Sequence, residues 1–275
     1  MQAFHNAVKR ELLDRFVPRG GRLLDLACGR GGDVHKWLSR GLSSVTGLDV
    51  SAKSLQEARG RYARAVAGAV AGERGGAPTH CEFLVADLCE GPWRGRGGGE
   101  KYDAVTCMFA LHYFWRDERA ARAFMETVAD NLAPGGHFVG VVPDALQIND
   151  RIRRGPVFDN GVVCIRAAWE GQPACFGSAY TCAVRGTVTE GSEVPEYLVY
   201  ASVLGALAER AGLVPVTSLG DGDGRCFGAT ADDGGVFWRL EPRYAGPRGG
   251  AHAECTGLYR AFAFRKPPPP ATSRT

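Results

Sequence analysis

A glycine-rich turn between an apolar run and a helical start constrains this chain more than any other stretch. Residues 22–27 predict a buried strand, residues 29–32 a tight turn, and residues 33–38 a helix start with Asp33 at its N-cap. This arrangement lets the backbone approach a nucleotide-like ligand closely. Asp25 and Asp33 would repel a pyrophosphate, but they suit the cationic sulfonium and amino groups of S-adenosylmethionine (AdoMet). The turn therefore predicts an AdoMet site rather than a dinucleotide site.

The composition narrows the class of protein. Hydrophobic residues make up 45% of the chain, enough for a sizeable core. No apolar run approaches the roughly 20 residues of a membrane helix, and the first nine residues lack the apolar core of a signal peptide. Nine cysteines without a Cys-x-x-Cys pair argue against a disulfide scaffold and a zinc site. We expect an intracellular, reduced protein with no metal and no membrane contact.

The charge balance bears on possible partners. A formal net charge of +3 excludes a general nucleic-acid coat protein. The basic residues are mostly arginine, whose planar guanidinium grips phosphates and stacks on bases. This bias is compatible with an RNA substrate, but it is as typical of a chain rich in Arg, Gly and Ala.

Alternating apolar runs and helical periodicities predict a doubly wound, mostly parallel sheet of seven strands, which is a Rossmann-like α/β fold. Further strands are predicted near residues 44–49, 81–87, 102–108, 137–142, 213–218 and 258–264. Helices are predicted near residues 3–17, from 52 into the sixties, 117–132 and 198–211. Short β-like pieces at 161–167 and 178–189 predict a small inserted β-rich segment after residue 150. We expect a single domain over residues 1–266 and a disordered tail over residues 267–275.

Two acidic residues follow predicted strands. Asp49 ends the second strand and Asp87 the third. Because ligands bind at the carboxyl ends of parallel strands, Asp49 is predicted to accept hydrogen bonds from the AdoMet ribose and Asp87 from the adenine amino group. A single aspartate at such a position is usually a turn residue, but two after a glycine turn favour ligand binding.

Two later segments carry other candidates. Aromatic residues and His112 at 109–114 are placed to stack a flat base and hydrogen-bond its edge, although alone they are slightly more typical of a core. Residues 195–200 begin the predicted helix near 198–211, where Glu196 either stabilises the first turn or reads a ligand. The residues alone leave both alternatives open.

Most of the chain resembles the mRNA cap guanine-N7 methyltransferase family. Residues 24–37 are similar to its Leu-Asp-Leu-Gly-Cys-Gly-Lys-Gly-Gly-Asp-Leu-x-Lys-Trp, a motif that alone indicates only a methyltransferase. The more specific matches are residues 5–9 to Asn-Asn-x-x-Lys, 61–62 to Arg-Tyr, 109–113 to Phe-x-x-His-Tyr, 175–180 to Phe-Gly-x-x-Tyr, 194–200 to Val-Pro-Glu-Phe-Leu-Val-Tyr and 254–259 to Glu-Ala-x-x-x-Tyr. The resemblance implies the class I methyltransferase fold and AdoMet-dependent methylation of guanine N7 in a GpppN-capped mRNA.

The resemblance also implies site residues, position by position. Contacts with AdoMet are expected at Lys9, Ala27, Gly29, Asp49, Asp87, Met108 and Tyr113. Contacts with the cap are expected at His5, Asn6, Arg30, Lys36, Arg61, His112, Glu196 and Tyr259. The chain departs from the family pattern where Ala27 replaces a glycine, Met108 a glutamine, His5 an asparagine and Arg30 a lysine.

Positioning is the expected mechanism, because guanine N7 is already a lone-pair nucleophile and loses no proton on methylation. Glu196 is expected to read the N1–H and amino donors of guanine, which other bases do not offer together. Base positioning is expected from His112, Tyr113, Glu196 and Tyr259, and binding of the triphosphate bridge from Arg30, Lys36 and Arg61. No general base, covalent intermediate or metal is expected.

Two other hypotheses remain. A class I methyltransferase acting on a small molecule would share the residues 24–33, Asp49 and Asp87, but would not need Glu196 or His112. A non-catalytic cap-binding subunit of the same fold is favoured by Ala27 and Met108. For the cap methyltransferase, the expected partners are the 5′ end of capped mRNA and other capping enzymes, and the expected location is the nucleus, or the host nucleus or cytoplasm for a viral protein.

Overall fold

The computed structural model describes residues 1–71, 79–95, 101–187, 191, 194–216 and 249–268. The strands are β1 (Arg22–Leu26), β2 (Ser44–Asp49), β3 (His80–Val85), β4 (Tyr102–Met108), β5 (Leu132–Pro143), β6 (Val157–Asp159), β7 (Val163–Ala167), β8 (Ala179–Val184), β9 (Glu196–Tyr197), β10 (Val214–Pro215) and β11 (Tyr259–Arg265). Seven of them form one sheet in the order β10-β11-β5-β4-β1-β2-β3. Pairing is parallel from β5 to β3, while β11 is antiparallel to both of its neighbours. The predicted mostly parallel seven-stranded sheet is confirmed.

Helices cover both faces of this sheet. They are α1 (Gln2–Phe16), α2 (Val34–Arg40), α3 (Ala52–Ala71), α4 (Glu118–Asn131), α5 (Ala145–Ile152), α6 (Ala201–Arg210) and α7 (Gly250–Thr256), with a 3-10 turn at Leu111–Arg116. Residues of α1, α2 and α3 pack on one face, and residues of α4 and α6 on the other. This is the doubly wound arrangement that the alternation of strands and helices predicts.

The first helix shows how the sequence pattern produces packing. Phe4, Val8, Leu12 and Phe16 recur every four residues and therefore lie on one face of α1. All four are buried in one cluster with side chains of β5 and β11. Burial of each large apolar side chain contributes about 1.5–3 kcal/mol, so this stripe fixes α1 against the sheet.

The strand β5 is longer than the sequence suggests, because it begins at Leu132 rather than near residue 137. The Pro-Gly-Gly segment at 134–136 pairs with the residue that follows β11: Gly135 N–H donates to the Lys266 carbonyl, and Lys266 N–H donates to the Gly136 carbonyl. A Cβ on Gly136 would lie 2.7 Å from the Asp103 carbonyl oxygen, so only glycine allows this close approach.

A second, antiparallel sheet has the order β6-β7-β8-β9 and packs against α5. It is the predicted β-rich segment after residue 150. Glu196 lies in β9 of this sheet, and α6 begins only at Ala201. The alternative in which Glu196 stabilises the first turn of a helix is therefore wrong. The helices α5 and α7 and the strand β6 were not predicted from the sequence.

Some expectations fall outside the described residues. Of the tail at 267–275, only residues 267 and 268 are described, and the stretch 220–235, for which no structure was predicted, is not. The single-domain assignment over 1–266 stays a prediction. In the described ranges, no helix is both long and apolar enough to span a membrane.

The close packing of β4 on β5 gives a stability prediction. A Cβ on Gly140 would lie 2.1 Å from the Cys107 carbonyl oxygen, and backbone cannot yield as a side chain can. We expect Gly140→Ala to lower the free energy of unfolding by at least about 2 kcal/mol in urea denaturation. Gly155→Ala, where a Cβ meets nothing within 4 Å, is the control and should change it by less than about 0.5 kcal/mol. Equal effects would contradict this packing.

Candidate functional site

The carboxyl ends of the parallel strands meet at one edge, and the glycine turn between β1 and α2 lies there. Gly29 N–H donates to Asp49 Oδ2 at 2.8 Å, and Ser51 N–H donates to Asp49 Oδ1 at 2.8 Å. Asp49 therefore joins the turn after β1 to the turn after β2. The structure brings together Gly29 and Asp49, two of the residues predicted to contact AdoMet.

Ala27 keeps the conformation of the glycine that it replaces in the family pattern. Its φ is 56°, in the left-handed region, as are Gly29 at 54° and Gly31 at 68°. This conformation costs a residue with a Cβ about 1–2 kcal/mol. The turn thus retains a shape that brings its backbone to the sheet edge despite the substitution.

Asp25 lies buried on β1 beneath this turn, where it accepts a hydrogen bond from Thr106 Oγ1 at 2.5 Å. Burial, assisted by the nearby Asp33 carboxylate, raises the pKa of Asp25 to about 7. A cation bound above the turn would favour the ionised form of this carboxyl. The sequence identified Asp25 only as a negative charge.

Asp33 is the N-cap residue of α2, as predicted, but its side chain makes no capping hydrogen bond there. Its carboxylate instead accepts from Lys9 Nζ at 2.8 Å and from Lys36 Nζ at 2.7 Å, and Lys36 also donates to Asn6 Oδ1 at 2.8 Å. Burial opposes ionisation of Asp33, but the two lysines outweigh it and hold its pKa below the usual value. Lys9, Lys36 and Asn6, predicted ligand contacts, thus link α1 to α2 in this structure.

A cavity of about 240 Å³ lies at the same edge, where β5 and β11 meet the small sheet. Five residues predicted to bind or position the cap line it together with Phe109: His5, His112, Tyr113, Glu196 and Tyr259. Tyr259 reaches this edge because β11 runs antiparallel and pairs it with Pro143, the last residue of β5. Residues separated by up to 254 positions in the sequence therefore surround one cavity.

His112 and Glu196 are two buried polar side chains that face each other in this cavity. His112 Nε2 lies 3.7 Å from Glu196 Oε1, and both side chains are buried. Burial lowers the pKa of His112 to about 3 and raises that of Glu196 to about 7. His112 is therefore neutral at pH 7, and neither of its ring nitrogens has a hydrogen-bond partner in the described part of the chain. Buried polar groups without such partners are costly unless a ligand supplies them.

Aromatic rings form the rest of the wall. His5 stacks on Phe109 with ring centroids 5.0 Å apart, and Tyr259 lies edge-on to both at 5.1 Å. His112 and Tyr113 are 4.2 Å apart. Phe109 has a φ of 62°, which is uncommon for a bulky residue and occurs at ligand sites. This wall suits a planar heterocycle.

The other predicted residues lie outside this cavity lining. Arg30 is exposed, with an ion pair of 3.5 Å to Glu57, and Arg61 lies on α3. Asp87 lies two residues beyond the end of β3 rather than at it, and its Oδ1 accepts from Cys89 N–H at 2.9 Å. Met108 ends β4 and packs beside the cluster under α1.

Four residues of the cavity wall were not predicted from the sequence: Met1, Pro143, Val184 and Thr187. Pro143 ends a parallel strand, so the strand-end rule that identified Asp49 could have found it. Thr187 follows β8 and carried no signal. Among the described residues, no group of three His, Cys, Asp or Glu side chains is placed to hold a metal ion.

The chain is similar in sequence to one family of known proteins. A family model described as the mRNA (guanine-N(7))-methyltransferase domain matches residues 1–219. The mRNA cap guanine-N(7) methyltransferase of Aspergillus niger is 32% identical over 76% of this chain and 40% of its own length, and that of Caenorhabditis elegans is 32% identical over 76% and 57%. The chain spans about half the length of the curated relatives it matches.

Solved structures share the fold. An S-adenosylmethionine-dependent methyltransferase from Clostridium acetobutylicum has a TM-score of 0.57 at 12% identity, covering 97% of this chain and 92% of its own. The glycopeptide N-methyltransferase MtfA complexed with sinefungin has a TM-score of 0.55 at 16% identity, covering 97% and 94%. At these identities the likeness shows the class I methyltransferase fold alone.

The Asp33 network gives a prediction for stability. Asp33→Asn leaves the buried Lys36 ammonium without a carboxylate, so the free energy of unfolding should fall by about 3 kcal/mol in urea at pH 7. The control is Asp14→Asn, which removes an exposed carboxylate 3.6 Å from Arg40 and should cost no more than about 1 kcal/mol. Equal losses in the two variants would show that the network does not hold α1 against α2.

Proposed function

The chain belongs to the mRNA (guanine-N(7))-methyltransferase family, and on that premise we propose that it transfers a methyl group from AdoMet to N7 of the terminal guanine of a GpppN-capped mRNA. One observation carries the proposal: a buried carboxyl and a buried neutral imidazole face an aromatic cavity beside the glycine turn. The pair offers hydrogen-bonding groups to a planar base. The turn offers backbone and carboxylate groups to a nucleoside-like cofactor.

The residues of the turn fit AdoMet. A Cβ on Gly29 would meet nothing within 4 Å, so the backbone there faces open space. Each Asp49 oxygen accepts one backbone N–H and keeps a lone pair for a ribose hydroxyl. We assign the cofactor contacts to Lys9, Ala27, Gly29, Asp49, Asp87, Met108 and Tyr113. Bound AdoMet supplies an electrophilic methyl group on a sulfonium.

Glu196 gives the cavity its preference for guanine. An ionised carboxylate accepts from both the N1–H and the amino group of guanine, whereas adenine offers only its amino group and turns the N1 lone pair toward the second carboxylate oxygen. Neutral His112 has one donor and one acceptor nitrogen for the same base. Because N7 carries its own lone pair, these side chains need only hold the base in line for attack.

Two arginines, Arg30 and Arg61, are the first candidates to bind the triphosphate bridge. Arg30 is 58% exposed in its side chain, and its ion pair with Glu57 is weak enough to exchange for a phosphate. Lys36 contributes less than a free lysine would, because Asp33 and Asn6 already bind its ammonium group.

The two other hypotheses have less support. The left-handed φ of Ala27 preserves the turn, which removes one reason to favour a non-catalytic subunit. A small-molecule enzyme gives no reason for Glu196 and His112 to share a buried cavity. Because GpppN ends are the product of guanylyl transfer, other capping enzymes are the proposed partners. The proposed location is the nucleus, or the host nucleus or cytoplasm for a viral protein.

The direct test is transfer of labelled methyl groups from AdoMet to GpppG-capped RNA, with ApppG-capped RNA as the control substrate. Glu196→Gln should lower kcat/KM for capped RNA by about a hundredfold or more, because the amide cannot accept both guanine donors. Its affinity for AdoMet, measured by calorimetry, should change less than threefold. Loss of AdoMet binding, or equal transfer to ApppG-capped RNA, would contradict the role of Glu196.

The pKa of Glu196 predicts how cap binding depends on pH. With a pKa of about 7, the carboxyl is about 90% ionised at pH 8 and about 10% at pH 6. Only the ionised form accepts both guanine donors, so the Kd of GpppG should rise about tenfold from pH 8 to pH 6. Glu196→Gln should remove this dependence. A wild-type Kd that is constant over this range would contradict the assignment.

A further inference from the structure

Tyr180 lies directly across from Glu196, on the neighbouring strand of the small sheet. The register pairs Tyr180 of β8 with Glu196 of β9, so the two side chains lie on the same face. Tyr180 is 1% exposed, and its hydroxyl makes no hydrogen bond of standard geometry with a described residue. Tyr180 does not line the cavity, whereas Glu196 does. A buried hydroxyl behind a buried carboxyl needs a partner, and Glu196 is beside it.

The groups around Glu196 are otherwise uncharged near pH 7. They come from three other elements and comprise His112, Tyr113, Tyr180, Cys182 and Tyr259. Burial lowers the pKa of His112 to about 3, raises that of Tyr113 to about 12, and raises the pKa values of the other three well above neutrality. None of these described groups is a cation, and the charge of the Met1 amino group, which lines the same cavity, lowers the pKa of His5 and Cys255 but does not act on Glu196. A hydrogen-bond donor is the remaining means of stabilising the ionised form of Glu196.

We propose that Tyr180 is a positioning residue for Glu196: its hydroxyl donates to one carboxylate oxygen, orients the carboxylate toward the cavity and stabilises its ionised form. The inference rests on the proposed function, because it matters only if Glu196 reads a base. One oxygen is then held from behind by β8, while lone pairs on both oxygens remain for the ligand. Tyr180 touches neither base nor cofactor.

This role has a consequence that simple packing lacks. The Tyr180 hydroxyl opposes the effect of burial on the pKa of Glu196. Without it, the pKa should rise by about one unit, since a hydrogen bond to a charged group is worth about that much. At pH 7 the ionised fraction would fall from about one half to about one tenth, whereas at pH 9 it would stay above about 90%.

Tyr180→Phe tests this with little change in volume. GpppG binding without AdoMet should weaken about fivefold at pH 7 and less than twofold at pH 9. The midpoint of the pH dependence of binding should move up by about one pH unit. The matched control is Tyr200→Phe. Tyr200 packs beside the same core cluster, and its hydroxyl accepts from Asn149 Nδ2 at 2.9 Å, away from the cavity. Tyr200→Phe should leave the midpoint of the pH dependence of GpppG binding unchanged.

A second measurement does not depend on cap binding. The Glu196 carboxyl is titrated by carbon NMR, with its signal assigned from Glu196→Gln, in the wild type and in Tyr180→Phe. An upward shift of about one unit in Tyr180→Phe supports the proposal. An unchanged titration, or a Tyr180→Phe variant that binds GpppG like Tyr200→Phe at every pH, overturns it.

Combining Tyr180→Phe with Glu196→Gln shows whether Tyr180 acts by positioning the Glu196 carboxylate or only by packing. In the Glu196→Gln background Tyr180→Phe should have no further effect on GpppG binding, because there is no carboxylate left to orient. A further loss there would assign Tyr180 a direct or structural role and overturn the proposal. If the wild type binds no GpppG at any pH, the proposed function fails instead, and the NMR titration still tests the contact between Tyr180 and Glu196.

Discussion

The buried carboxylate of Asp33 joins the two halves of the site. It holds Lys9 of α1 and Lys36 of α2, and Lys36 in turn holds Asn6 of α1. Helix α1 therefore has a fixed position on α2, which starts directly after the glycine turn. One face of α1 packs on the sheet, and its first turns carry His5 to the cavity. The glycine turn and the aromatic cavity are thus linked through α1 at one edge of the sheet.

Two buried carboxyls at the site lower the free energy of unfolding near neutral pH. Glu196 and Asp25 both have a pKa raised to about 7 by burial, whereas in the unfolded chain they ionise near pH 4. Between these values the folded state binds more protons than the unfolded state, so the free energy of unfolding falls as pH rises through this window. Neither carboxyl would be buried for stability alone. Each is placed where a bound ligand can compensate its charge.

Local patterns predicted much of the fold, while nonlocal contacts decided the rest. Strands β2 and β4 were predicted with their observed bounds, because each is an apolar run with polar or glycine neighbours. The start of β5 was missed because Pro-Gly-Gly is typical of a turn, and the strand forms there through long-range pairing with Tyr102 and Lys266. The two-residue β9 exists through its pairing with β8, so Glu196 was placed at a helix start instead. The resemblance named five of the residues that line the cavity, but it assigned no role to Asp33, which binds Lys36, or to Tyr180, which lies opposite Glu196.

The atom that receives the methyl group shows whether the cavity holds guanine with N7 in line for attack. Capped RNA is incubated with AdoMet and the protein, the cap is released by nuclease digestion, and the nucleosides are identified by mass spectrometry. We expect 7-methylguanosine from GpppG-capped RNA, at a rate that depends on Glu196. Methylation at another atom, or no methylation although the protein binds AdoMet, would contradict guanine N7 as the acceptor.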